Sequence, residues 1–468
     1  AGIKWVMGGD DLDYSKSKPE ENRFVITVLD QEFDEPMELD IFSDGRIIFI
    51  ERKGAIKIHY PAEQATKTIA TIPVHHQHED GLLGIALDPD YDKNNWIYLF
   101  YSPIGSDPKQ HVSRFMLRNE MLDLSSEKVL LEIPVQRTEC CHSGGSLEFD
   151  SQENLYISVG DNTNPFASDG YAPIDERSDR AAWDARRSSS NPNDLRGKIL
   201  RIRPRPDGTY SIPNGNLFPP GTAGTRPEIY TMGCRNPFRI HIDWHTEFLY
   251  WGDIGPDAGE DRLARGPKGY DEVNQAREPG YFGWPLFVGD NKPYNRFLFA
   301  DSVASKKYNP SAPINDSPHN TGLKDLPVAQ PAFIWYPYVE SPDFPLLGVG
   351  GRNAMAGLVY YFDDYKNTKN NFPKYYDKKL FIYDWMRGWI MAVKMNATGD
   401  FVTLEPFLPG EKFHNPIDMI MWKDGALYVL EYGTTWYTKN RDARLLRIHY
   451  ESGNRAPRAN IYADKTVG

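Results

Sequence analysis

One pattern recurs six times along the 468-residue chain and limits what it can fold into. Each copy holds an apolar run, a turn containing Asp or Gly, and a second run rich in β-branched and aromatic residues. A third such run closes most of the copies. The copies begin near Met37, Leu83, Gly145, Pro237, Gly357 and Ile417. Their second runs are Arg46–Ile50, Trp96–Tyr101, Leu155–Val159, Phe248–Trp251, Leu380–Tyr383 and Ala426–Leu430. Runs of this composition between turn formers read as strands, and 38 Gly and 36 Pro keep the turns dense. A unit of this size cannot bury its own faces, so the copies must pack on one another. Six such units close into a ring with one blade each. The expected fold class is all-β: a six-bladed β-propeller with long inter-strand insertions. A β-sandwich with a second domain is the alternative, and the sixfold recurrence argues against it. The best short helical candidate is Ser178–Arg187.

The copies are unevenly spaced, which places the largest insertions at about 160–195 and 285–350. Propeller loops on one face usually build the site, so these segments are expected to wall a pocket. The expected division is 1–30 as an N-terminal extension, 31–450 as the propeller, and 451–468 as a linker and the start of a following domain. The last rests on the Pro and small residues after Asn454.

Composition excludes several classes. A net charge of −12 argues against nucleic-acid binding, which needs a basic face for phosphates. No run of 18 apolar residues exists, so no membrane-spanning helix is expected. Three cysteines are too few for a disulfide scaffold and fit no zinc spacing. There is no phosphate-binding Gly-rich loop of P-loop type and no Ser nucleophile elbow.

His142 precedes Gly144-Gly145 and an inner strand, which places it at the mouth of the channel; the local sequence leaves two readings open, a general base or a packing or capping histidine. Adjacent Cys140 and Cys141 leave two readings open, a vicinal disulfide or two buried thiols; Cys234 reads as a buried thiol. Arg235 and Asn236 stand before another inner strand, and a fixed guanidinium suits a carboxylate or quinone oxygen. The Gly255-Pro256 turn offers carbonyl oxygens, good ligands for Ca²⁺, and Asp271-Glu272 follows. Asn164 lies in a polar stretch without a calcium-loop spacing. His75, His76 and His78 read as loop or rim residues.

In order along the chain, Glu79–Ala86, His142–Gly145, Leu195–Arg201, Gly233–Pro237, Gly255-Pro256, Asp271–Asn274 and Tyr281–Pro285 resemble the glucose/sorbosone dehydrogenase family, from about Phe33 to Ile448. The likeness extends to a bacterial branch in which an immunoglobulin-like PKD domain follows the propeller. The resemblance implies pyrroloquinoline quinone (PQQ) and Ca²⁺ on one face. His142 would be the base that takes the sugar's hydroxyl proton, with Arg235 beside it in catalysis. Arg235, Asn236, Asn164 and Arg387 would contact the cofactor. Gly255, Pro256, Asp271 and Glu272 would serve the metal. Three departures stand out: Arg387 replaces a fifth-blade Lys, His414-Asn415-Pro416 replaces a sixth-blade Arg-x-Arg, and a Gln expected near Asn164-Pro165-Phe166 is absent.

The expected function is PQQ- and calcium-dependent oxidation of an aldose or related carbohydrate, with a cytochrome or other external electron acceptor, in the periplasm, at the cell surface or in a secreted protein. Two alternatives use the same face: a non-redox carbohydrate-binding propeller of a multidomain surface protein, and a PQQ-free sugar lactonase or lyase.

Overall fold

The computed structural model describes residues 17–452. Six antiparallel sheets of four strands, one with small additions, are arranged as a six-bladed propeller. Blade 1 runs Pro36–Ile41, Ile47–Glu51, Ala55–Tyr60 and Ala65–Thr71, and blade 2 runs Leu82–Leu87, Trp96–Tyr101, Lys109–Arg118 and Met121–Pro134. Blade 3 holds Gly144–Phe149, Leu155–Val159, Lys198–Pro204 and Ile229–Met232, and blade 4 holds Pro237–Ile242, Leu249–Asp253, Asp271–Ala276 and Ile334–Tyr336. Blade 5 is Ala354–Tyr360, Lys379–Asp384, Trp389–Met395 and Phe401–Phe407. Blade 6 has Pro416–Met421, Leu427–Glu431 and Arg444–Tyr450.

The fourth strand of blade 6 is Phe24–Gln31, which pairs antiparallel with Arg444–Tyr450, Phe24 opposite Tyr450 and Gln31 opposite Arg444. Part of the segment expected to precede the propeller therefore closes it. Closure removes two open sheet edges. Phe24 fastens the joint, its ring 5.1 Å from both Phe372 and Phe407 of blade 5. The expected following domain after Asn454 lies outside the described residues.

The inner strands are joined across blades by carboxylates. Glu38 accepts from the Ile85 amide at 2.7 Å, Asp40 from Leu87 at 2.8 Å, and Asp418 from Leu39 at 2.8 Å. Asp271, on the third strand of blade 4, accepts from Ala354 of the blade 5 inner strand at 2.9 Å. An amide facing the channel has no ladder partner on that side, so a buried carboxylate satisfies it. At the channel's centre buried Arg239 donates to the carbonyls of Ile417 and Met37 and lies 3.8 Å from Glu38, which also accepts from the Ser146 hydroxyl at 2.5 Å.

Two excursions interrupt this pattern. Residues 160–197 leave blade 3 with 3₁₀ turns at Ala181–Trp183 and Ala185–Arg187, where the sequence suggested a short helix. Residues 277–333 leave blade 4 and carry two small hairpins. Ile334–Tyr336, inside the second expected insertion, is instead the outer strand of blade 4, paired with Asp271–Val273. Pro337 follows its last residue directly and cannot extend the ladder.

Candidate active site at the channel mouth

The positions two residues before the six inner strands are Asp34, Asp80, His142, Arg235, Arg352 and His414. They form a polar ring at one end of the channel. In four blades a carboxylate at the end of the second strand holds this turn by a backbone amide. Glu51 accepts from Asp34 at 2.9 Å, Asp253 from Asn236 at 2.7 Å, Asp384 from Asn353 at 3.0 Å, and Glu431 from His414 at 2.8 Å.

Blade 3 breaks the rule. Its carboxylate, Asp161, binds the His142 ring instead, Oδ1 to Nδ1 at 2.7 Å. Other groups take over the backbone: Glu79 accepts from the His142 amide at 2.7 Å, and Asn236 Oδ1 from Gly144 at 3.0 Å. Asp161 also accepts from Trp284 Nε1 at 2.8 Å and from the Thr163 amide at 2.9 Å. Both of those groups only donate, so Asp161 is an acceptor and His142 Nδ1 carries the proton. The lone pair then lies on Nε2, the state a general base requires. His142 is 5 % exposed and Asp161 is fully buried, so their attraction is little screened.

Beside this pair lie Arg235, Asn236 and Asp257. Arg235 donates Nη1 to the Ile254 carbonyl at 2.9 Å, and Nη2 lies 3.8 Å from Asp257. Asp257 accepts from the Tyr338 hydroxyl at 2.8 Å and is held below the usual carboxylate range, burial being outweighed by Arg235, Tyr338, Arg352 and His142. Cys140 and Cys141, the residues before His142, form a vicinal disulfide, and Cys234 is a buried free thiol.

Other expected site residues have different tasks. Arg387 donates to the carbonyls of Pro337, Leu347, Gly348, Gly350 and Gly351 and so braces a loop, because five fixed donors suit a cluster of backbone acceptors. Asn164 joins Glu139 to the Phe166 amide. His75 lies 3.6 Å from Asp80, and the His76 and His78 carbonyls accept from Arg52, so this trio forms part of the rim.

The residues expected to hold Ca²⁺ do not fit it. The Pro256 carbonyl accepts from Arg352 Nη2, and Asp271 Oδ1 accepts from Arg352 Nη1 and the Gly255 amide. Asp271 Oδ2 is bound to Ala354, while Glu272 binds the Gly289 amide at 2.5 Å and Asn274 at 3.1 Å. A divalent ion about 4 Å from the Arg352 guanidinium would be repelled by about 8 kcal/mol at an effective dielectric constant of about 20. Among the described residues, no group of three or more His, Cys, Asp or Glu side chains could hold a metal ion. An anionic group fits better, since Arg235 Nη2 is paired only at 3.8 Å with Asp257 and Asn236 uses its Oδ1, not its NH₂, toward Gly144. Sequence reading missed Glu79, Asp161, Asp257 and Arg352 as site residues. Aligning the six strand starts would have found Arg352.

The other end of the channel opens into a cavity of about 590 Å³ lined by all six inner strands, including Glu38, Asp40, Glu148, His241 and Asp418. None of the mouth ring lines it. No described helix is long and apolar enough to cross a membrane.

The chain is 24 % identical over 410 residues to the aldose sugar dehydrogenase YliI of Escherichia coli, covering 86 % of this chain and 89 % of that protein. It is 25 % identical over 461 residues to quinoprotein glucose dehydrogenase B of Acinetobacter calcoaceticus, covering 89 % and 87 %. The PQQ-bound aldose sugar dehydrogenase of Streptomyces coelicolor shares the fold with a TM-score of 0.58 at 18 % identity, over 92 % of this chain and 98 % of that one. The glucose/sorbosone dehydrogenase family model matches residues 33–315, and the chain belongs to that family.

Proposed function

We propose that the protein is a quinoprotein sugar dehydrogenase that oxidises a CH–OH group of an aldose or related carbohydrate. The observation that carries this reading is the His142–Asp161 pair, in which a buried carboxylate holds the imidazole ring at the channel mouth. His142 Nε2 takes the proton of the sugar hydroxyl. Asp161 fixes the tautomer and stabilises the imidazolium that forms. Arg235 and Asn236 would hold PQQ, which when bound supplies an ortho-quinone that accepts the hydride. No step is assigned to Ca²⁺. The names of the two relatives support a sugar substrate and a quinone cofactor. The disulfide suits an oxidising compartment, and a periplasmic, surface or secreted location goes with this reading.

The commitment of Arg387 to loop carbonyls, with no Arg-x-Arg in blade 6, favours a second reading: a propeller that binds carbohydrate without redox chemistry. Calorimetric titration of PQQ into wild type and Arg235→Ala separates the two. Micromolar or tighter binding that weakens in the variant is expected. No heat at millimolar PQQ would overturn the dehydrogenase reading in favour of the second.

A further inference from the structure

We infer that the Arg352 guanidinium is the resident cation of the Gly255-Pro256 turn and occupies the place of a divalent ion, so that this channel mouth is built to work without Ca²⁺. Three observations carry this. The first is position: Arg352 stands two residues before its inner strand, equivalent to His142 and Arg235, and so belongs to the mouth ring by the same logic. The second is chemistry. Its two Nη atoms bind one carbonyl and one carboxylate oxygen, Pro256 O and Asp271 Oδ1, the hard oxygen donors that a Ca²⁺ ion would take. A planar fork of fixed charge satisfies both at once. The third is packing around that contact. A side chain at Gly269 would put its Cβ 1.5 Å from the Pro256 carbonyl oxygen and 2.6 Å from Arg352 Nη2. A side chain at Gly255 would put its Cβ 1.6 Å from the Tyr270 carbonyl oxygen. Two glycines thus let the turn, the strand entering at Asp271 and the guanidinium close on one another.

The cation is also held from its other sides. Its carbon centre lies 4.0 Å from the Tyr338 ring centroid, and the side chain is 1 % exposed. Its Nε is buried without a protein acceptor. Unlike a metal ion, such a cation cannot be lost to a chelator, and its charge does not change across the pH range of protein work.

The test is Ca²⁺ binding by calorimetry on chelator-treated wild type, Arg352→Gln and Arg352→Lys, with melting temperature as a second readout; neither depends on PQQ or on a sugar. Wild type and Arg352→Lys are expected to show no site tighter than about 1 mM and no Ca²⁺-dependent rise in melting temperature. Arg352→Gln, which frees two oxygens and removes the charge, is expected to gain a single site about tenfold or more tighter. A stoichiometric wild-type site of about 100 µM or tighter would overturn the inference, as would a folded Arg352→Gln that gains none. If Arg352→Gln does not fold, the wild-type titration decides.

Discussion

Replacing Asp161 with Asn removes one charge and almost no volume, so it isolates the role of this carboxylate. The His142 Nδ1–Asp161 Oδ1 distance is 2.7 Å, and Trp284 and Thr163 hold the carboxylate from two other directions. When Nε2 takes up a proton, the new positive charge is centred about 4 Å from the carboxylate. At an effective dielectric constant of about 20 the attraction is about 4 kcal/mol. At about 1.4 kcal/mol per decade, this amounts to about a thousandfold in rate. The introduced carboxamide also offers an N–H donor, which favours the tautomer with its proton on Nε2, the wrong form for a base. Asp161→Asn is therefore expected to lower kcat about 10³-fold in sugar-dependent dye reduction by the PQQ-loaded protein, with KM changed only a few-fold and the circular dichroism spectrum preserved. Trp284→Phe, which removes one hydrogen bond to the carboxylate and no charge, is expected to cost about tenfold or less. A kcat for Asp161→Asn within tenfold of wild type would refute the reasoning, because an oriented, charge-stabilised base cannot lose its anion so cheaply.

Three further outcomes follow from the scaffold. Phe24→Ala empties the aromatic joint between the closing strand and blade 5 and should cost about 3–5 kcal/mol in denaturant unfolding; less than about 1 kcal/mol would mean the joint does not hold the ring closed. Arg239→Met leaves Glu38 without its cation at the channel centre and should cost about 3–5 kcal/mol, with partial recovery in Arg239→Met/Glu38→Leu; an additive double variant would contradict a coupled pair. Burial pushes the Glu272 carboxyl up to about 8, with the Asp253 charge adding to it. A carboxyl raised in the folded state contributes stability at low pH that is lost as pH rises through that value. Glu272→Gln should therefore shrink the fall in melting temperature between about pH 5 and about pH 8, and an unchanged fall would rule out Glu272 as its source.

The blades were legible because their inner and middle strands are nearly continuous apolar runs, such as the fully buried Ile47–Ile50. The closing strand was not, because Phe24–Gln31 is an outer strand with only Phe24 buried, and its partner lies more than 400 residues away. His142, Arg235 and Asn236 were legible as residues placed before inner strands. Asp161 was not assigned to His142, because side chains 19 residues apart in sequence meet only through the turn geometry of blade 3. The bracing task of Arg387 was not legible for a related reason. Its charge is plain in the sequence, but the five carbonyls it braces come from a loop whose path is set by packing. Arg352 was not read as a neighbour of the Gly255-Pro256 turn, because it stands nearly 100 positions from the turn it contacts.

The central claim is sugar oxidation at the His142 mouth, and the most direct measurement is aldose-dependent dye reduction by the purified protein with and without PQQ, beside His142→Ala. The account predicts turnover that requires both PQQ and an aldose and that falls about 10³-fold or more in His142→Ala. Sugar binding without dye reduction, across a panel of aldoses and with PQQ in excess, would contradict it.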